Sequence, residues 1–189
     1  IKFELEPEIY SFESLSWLKK YSSKRINIHL KFDTGMHRLG FSIEDIDKLC
    51  VQLKHYPNIK VVSVFSHLAV ADDPKEDSFT RKQIKVFDDI YNIMYERLNI
   101  KPKRHILNTA GISRFNEYQY DMVRLGLGLY GVQASEHEHL PLMQSACLKT
   151  HVIQTKMVGK GERVGYGIQH ITDSDIKIAI IQIGYADGF

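Results

Sequence analysis

The sequence predicts an α/β protein built on a parallel sheet, followed by a β-rich segment. Short apolar runs bounded by turn residues recur over residues 1–130. Stretches of helical period separate them, and near residue 140 that period disappears.

The apolar runs Ile26–Phe32 (INIHLKF) and Ile59–Phe65 (IKVVSVF) read as buried strands, with shorter ones at His105–Leu107 and Met122–Leu127. Between the first two, Ser42 with Asp45 three residues on gives a capping-box pattern, and Ile46, Leu49 and Leu53 follow on one helical face. Thr80 with Gln83 opens a second helix, whose stripe is Ile84, Phe87, Tyr91, Met94 and Leu98, before Pro102. Buried strands alternating with helices of this length imply right-handed βαβ crossovers. A closed eight-stranded α/β barrel needs about 250 residues. Periodicity alone therefore leaves part of a barrel and a free-standing doubly wound sheet both open. After the polar loop SEHEHLP, Ser145–Val158 and Ile176–Ile183 read as longer strands around the glycine-rich GKGERVGYG. The expected division is an α/β domain over 1–140 and a β-rich one over 141–189.

Composition narrows the function. Apolar residues make up 43% and charged residues 25%, a globular balance and not a disordered one. The net charge is +2 with no basic stripe, so no nucleic-acid partner is expected. No run of eighteen apolar residues occurs, so no membrane-spanning helix is expected. Cys50 and Cys147 lie far apart and form no metal spacing, which suits a reduced, cytoplasmic protein. IKFELEPEIY shows no signal peptide. A start at Ile1 and a stop within IGYADGF read as a piece of a longer chain.

In parallel α/β folds chemistry gathers at the C-terminal ends of strands. The polar residues there are Lys31, Asp33 and Arg38; Ser66 and His67; Asn108 and Thr109; and Arg124. Singly, each is an ordinary solvated or packed residue. Four successive strands ending in such groups is harder to dismiss, because desolvating them without purpose is costly. Asn108-Thr109-Ala110-Gly111 could offer a hydroxyl and backbone N–H groups to an anion, and the glycines after Arg124 allow close approach. Neither segment is a Walker loop or a dinucleotide fingerprint. His137-Glu138-His139 reads as a solvated loop, Cys50 as a packing residue, and no metal site is expected.

Six segments together resemble one family: KFDTGMHRLGF at 31–41, SHLAVAD at 66–72, HILNTAG at 105–111, MVRLGLGLYG at 122–131, RVGYG at 163–167 and IGYADG at 183–188. In order and spacing they are similar to alanine racemase. The resemblance implies part of a (β/α)8 TIM-type barrel followed by the start of an all-β C-terminal domain. It implies pyridoxal 5'-phosphate as cofactor and interconversion of L- and D-alanine for bacterial peptidoglycan. It further implies a cytoplasmic homodimer with active sites shared across the interface. The family's Schiff-base lysine would lie upstream of Ile1, and no lysine here has its lysine-alanine-asparagine context, so these residues alone are expected to be inactive.

The same resemblance assigns roles. Arg124 matches the arginine that faces the cofactor's ring nitrogen; a guanidinium stays protonated, so the ring stays neutral and side reactions are restrained. Tyr166 matches the base on the L-substrate face, contributed to the other subunit's site, and the upstream lysine would serve the opposite face. His67 matches the histidine linking that tyrosine to Arg124. Arg38 matches the arginine that contacts the cofactor's phenolic oxygen and the substrate carboxylate, which a guanidinium can bind with two parallel hydrogen bonds. Lys31 matches a lysine often carried as a carbamate, an anion that would hold Arg38 in place. Thr109, where the family often has Ser, Gly126 and Leu127 take phosphate-contact positions, and Tyr185 resembles an entrance residue limiting substrate size. Competing readings are a racemase of a larger amino acid such as serine, lysine or ornithine, and a non-catalytic cofactor-carrying barrel. Residues 145–189 argue against the second, because carriers of that kind lack a β-domain. A fusion with a peptidoglycan ligase is a further context that these residues do not test.

Overall fold

Ile26, Ile28 and Leu30 alternate with Asn27, His29 and Lys31, so the strand they form has one buried apolar face and one polar face. In the computed structural model, which describes residues 5–18, 24–137, 140–168 and 170–188, this strand is β2 (Ile26–Lys31). It is flanked by β1 (Glu8–Ile9) and β3 (Ile59–Phe65), and β4 (Lys103–His105) lies beyond β3. All three pairings are parallel, and spatial order follows chain order without reversal. A doubly wound sheet reverses direction at its switch point, whereas a barrel adds each strand outside the last. The progression here is that of a barrel segment.

Between β1 and β2 comes α1 (Phe12–Ser16), and after β2 comes α2 (Ile46–Lys54). The Asp45 carboxylate accepts from the Ser42 N–H at 3.0 Å and the Ser42 hydroxyl at 3.1 Å, starting a 3-10 turn that runs into α2. Ile46, Leu49 and Leu53 are buried on its inner face with Cys50. Helix α3 (Asp77–Leu98) begins three residues before the expected Thr80. Asp73 accepts from the Lys75 N–H and Pro74 stands at the first position of the preceding turn, so initiation is set upstream. Thr80 and Gln83 are buried helix-interior residues. Asn99, at φ 51°, ends α3 before Pro102 is reached. Ile84, Phe87, Ile90 and Met94 pack into one core with Ile28, Leu30 and Val64.

The third expected strand forms earlier, at Lys103–His105, with Ile106 and Leu107 fully buried after it. Then comes α4 (Thr109–Arg114). The fourth expected strand, Met122–Leu127, is not formed as a strand. Instead Asp121 N–H donates to Arg104 O at 3.2 Å and Arg124 N–H to Leu107 O at 3.0 Å, which holds this segment alongside β4. At Gly126 (φ −112°, ψ −104°) the backbone leaves extended geometry and enters the 3-10 turn Leu127–Tyr130.

The chain divides into two compact units, Ile1–Ser145 and Ala146–Phe189. In the second, β5 (Val152–Val158) pairs antiparallel with β8 (Ile176–Ile181), and β6 (Arg163–Val164) with β7 (His170–Ile171). Residues 145–151 of the expected Ser145–Val158 strand lie outside the ladder, and β8 stops at Ile181, short of Ile183. Buried Thr172 donates its hydroxyl to Gly159 O at 2.6 Å, closing the turn between β5 and β6. Among the described residues no helix is long and apolar enough to cross a membrane.

Candidate active site

The C-terminal ends of β2, β3 and β4 bring several of the expected residues together. Past Phe65, Ser66 is buried, and its N–H donates to His105 O at 3.3 Å, extending the ladder by one rung. Ser66 Oγ meets Thr34 Oγ1 at 2.8 Å, tying this end to the loop after β2. His67 follows, and a side chain from α3 fixes its backbone. Gln83 Nε2 donates to His67 O at 3.2 Å, while Gln83 Oε1 accepts from the Ala69 N–H at 2.9 Å.

Arg124 reaches into this cluster. Its Nη2 donates to Ser66 O at 2.5 Å, Ile106 O at 3.3 Å and His67 Nδ1 at 3.3 Å, and its Nη1 donates to His105 Nδ1. Its guanidinium lies over the Phe65 ring, 5.2 Å from the centroid, and Phe65 stacks on His105 at 4.8 Å. Among the described residues every acceptor of this cation is neutral, no carboxylate bonds to it, and its Nε makes no hydrogen bond. Burial lowers the Arg124 pKa to about 10, which leaves it a cation at neutral pH. The same burial, with Arg124 alongside, lowers His105 to about 4. Burial also lowers the His67 pKa, helped by Arg124, Arg38 and Lys31. Both histidines are therefore neutral. A neutral His67 accepting at Nδ1 carries its proton on Nε2, where it is a donor.

The loop after β2 is organised by Asp33. Its carboxylate accepts from the N–H groups of Gly35 at 2.9 Å, His37 at 3.0 Å and Arg38 at 3.1 Å, which hold its pKa down against the effect of its own burial. Gly40 lets the loop return: at φ 137° it lies so close to Phe32 and Asp33 that a Cβ would sit 2.5 Å from their backbone atoms. Arg38 is exposed at the rim, and Lys31, Asp33, Arg38, Ser66 and His67 line one small crevice. The Lys31 ammonium pairs with Glu8 at 3.1 Å and stands over the Phe65 ring.

Thr109, first residue of α4, accepts at Oγ1 from the N–H of Gly126 at 2.9 Å and of Gly128 at 3.4 Å. Those amides fold the loop onto the threonine, leaving the threonine O–H proton and the Leu127 N–H without partners among the described residues. A Cβ at Gly128 would lie 2.9 Å from Thr109 Cγ2, so the fit needs glycine. Asn108 caps α4, its side chain accepting from the Gly111 N–H at 3.0 Å.

Tyr166 belongs to the second unit. It stands fully exposed between Gly165 (φ 80°) and Gly167 (φ 71°). Tyr185 opens the turn Tyr185–Asp187 in that unit and is also exposed. Glu138 and His139 lie outside the described residues, and among those described no group of metal-ligating side chains is found. Sequence reasoning missed Gln83 as a brace, and it missed His29 and Ser63. A polar residue on the buried stripe of α3, and polar residues alternating along β2, were the available signals.

A positioned cation bonded only to neutral acceptors, together with a hydroxyl proton and a loop amide that have no partner among the described residues, fits the ring nitrogen and phosphate of pyridoxal phosphate. The comparisons agree. The family model for the alanine racemase N-terminal domain matches residues 1–134, and that for the C-terminal domain matches 145–189. An alanine racemase of Oceanobacillus iheyensis is 34% identical over all of this chain and 52% of its own length. An amino-acid racemase of Enterococcus faecalis is 39% identical over all of this chain and 27% of its own. The crystal structure of alanine racemase from Bartonella henselae with covalently bound pyridoxal phosphate superposes with a TM-score of 0.78 at 26% identity, covering 99% of this chain and 51% of that one. The chain thus spans about half the length of most curated relatives it matches. It belongs to the alanine racemase family and carries part of that family's barrel followed by part of its β-domain.

Proposed function

We propose that the whole protein containing this chain is a pyridoxal-phosphate-dependent alanine racemase, a homodimer working in the bacterial cytoplasm to supply D-alanine for peptidoglycan. The observation that carries this reading is Arg124, a half-buried cation to which the described residues give only neutral acceptors. When bound, pyridoxal phosphate supplies an electron-withdrawing ring that acidifies the α-C–H of an amino acid.

Arg124 keeps its proton and so leaves the ring nitrogen neutral, which limits electron withdrawal and favours returning the proton to carbon. Thr109 donates its hydroxyl, and Leu127 its N–H, to the phosphate beside Gly126. Arg38 binds the substrate carboxylate at the rim. Tyr166 Oη, contributed to the other subunit's site, removes the α-proton of L-alanine there, and the lysine expected upstream of Ile1 returns a proton on the other face. In the site that receives that tyrosine, His67 presents its Nε2–H as a donor, with Arg124 behind it on Nδ1. Tyr185 narrows the entrance.

Arg124→Glu tests the reading. A carboxylate there would protonate the ring, so racemisation should fall while pyruvate from misplaced reprotonation rises. Loss of both activities together with cofactor binding would contradict the role. The Enterococcus relative, named for amino acids in general, supports a second reading with larger side chains, which a substrate panel of serine, lysine and ornithine decides.

A further inference from the structure

A row of polar side chains crosses the sheet below Arg124, and register explains it. Alternation puts Asn27, His29 and Lys31 on one face of β2, and His29 is paired with Glu8 on β1 and with Ser63 on β3. Ser63 is in turn paired with Lys103 on β4. Glu6 and His105 each lie one same-face step from these partners, within diagonal reach across the strands. The contacts are continuous. Arg124 Nη1 meets His105 Nδ1, His105 Nε2 is 3.1 Å from Ser63 Oγ, Ser63 Oγ is 2.6 Å from His29 Nδ1, and His29 Nε2 is 3.0 Å from Glu6 Oε2.

Donor inventory gives this row a direction. A guanidinium only donates, so His105 Nδ1 accepts and its proton sits on Nε2, facing Ser63. Ser63 is 1% exposed, and its hydroxyl proton then has one acceptor among the described residues, His29 Nδ1. His29 must therefore carry its proton on Nε2 and give it to Glu6, a carboxylate that only accepts. Had His29 a proton on Nδ1 as well, Ser63 would receive two N–H groups and strand its own proton in the core, which is costly. Asn27 holds the far end, its Nδ2 donating to Glu6 Oε1 at 2.6 Å and leaving Oε2 for His29.

We propose that Glu6, His29 and Ser63 are positioning residues for Arg124, locking His105 as the Nε2–H tautomer so that Nδ1 holds the guanidinium. The opposite tautomer would set N–H against N–H and push Arg124 out of place. This inference rests on the reading of Arg124 as the group facing the cofactor's ring nitrogen.

The test uses the whole protein with 15N-labelled histidine, first without cofactor, as wild type, Ser63→Ala, Ser63→Thr and Glu6→Ala. Imidazole 15N shifts of His105 and His29 report the tautomers directly. The wild type should show Nε2–H at both, and Ser63→Ala should bring up the Nδ1–H form of His105. Ser63→Thr, which keeps the hydroxyl, should restore it. Glu6→Ala, at an exposed position, should shift His29 and His105 together. With cofactor, kcat for alanine should fall about tenfold in Ser63→Ala, the scale on which outer hydrogen-bond partners act, with KM changed less than about twofold. A His105 tautomer that is Nδ1–H in the wild type, or the same in all four proteins, overturns the proposal whatever turnover does. A wild type that binds no cofactor and racemises nothing defeats the functional reading instead, and the tautomers still decide the relay.

Discussion

Gln83, in the fourth position of the second turn of α3, holds the backbone of His67: its side-chain nitrogen donates to His67 O at 3.2 Å. The same amide accepts from the Ala69 N–H at 2.9 Å and donates to Thr34 Oγ1 at 3.4 Å. One buried side chain thus joins the loops after β2 and β3, which carry Arg38 and His67. Gln83→Leu keeps volume but leaves the His67 carbonyl and the Ala69 N–H without their partner at a part-buried place. Stability should fall by about 1–3 kcal/mol, measured by urea denaturation. Unchanged stability and turnover would show that the brace is idle.

Gly40→Ala should be more damaging than its size suggests. The added methyl meets backbone at Phe32 and Asp33, not a movable side chain, and alanine disfavours φ 137°. We expect a loss of several kcal/mol, toward the upper end for single substitutions, and weaker substrate binding through Arg38. Circular dichroism melts and KM for alanine check it. A melt within 1 °C of wild type would contradict the geometry.

Buried His105 predicts a pH dependence of stability. An unfolded histidine takes up a proton near 6.5, whereas His105 in the folded protein resists until about 4. Between those values the unfolded state binds more protons, so stability is complete above pH 6.5 and drains as pH falls toward 4. Urea midpoints from pH 7 to pH 4.5 should show this slope. His105→Asn should flatten it in part, because His67 is shifted in the same direction by the same kind of burial. An equal slope in the variant would rule out His105 as a source.

The pairing of Lys31 with Glu8 bears on the expected carbamate. Carbamylation needs the neutral amine, and its product would set a second anion against Glu8 at the place where 3.1 Å now separates opposite charges. No carbamate carbon should appear in 13C spectra of the native protein under labelled bicarbonate. Glu8→Gln should allow the modification. A carbamate signal in the wild type would mean that Glu8 moves aside.

Much of the first unit is legible in the sequence because its signals are local. The Ser42–Asp45 cap, the buried face of α2 and the core of β2 and β3 all follow from spacing within one element. Arg124, His67 and Thr109 are legible too, as polar residues at strand ends. What the sequence conceals depends on register. His29 and Ser63 sit inside apolar runs and become neighbours only because β2 and β3 pair as they do. Met122–Leu127 has a strand's composition, yet Arg124 points into the site and Gly126 turns the backbone, so the ladder is not completed. Helix α3 starts early because Asp73 and Pro74, outside the apolar stripe, set its first turn.

The proposed roles of Arg124, His67 and Tyr166 in a two-base racemisation of alanine meet in one experiment. It supplies the whole protein with pyridoxal phosphate and L-alanine in deuterated water. α-Proton exchange is followed by NMR and D-alanine by a stereospecific assay, for wild type and Tyr166→Phe. D-Alanine should form with the wild type, and the variant should lose proton abstraction from L-alanine while largely keeping exchange from D-alanine. Cofactor binding without exchange or racemisation of alanine, or equal loss from both enantiomers in the variant, would contradict those roles.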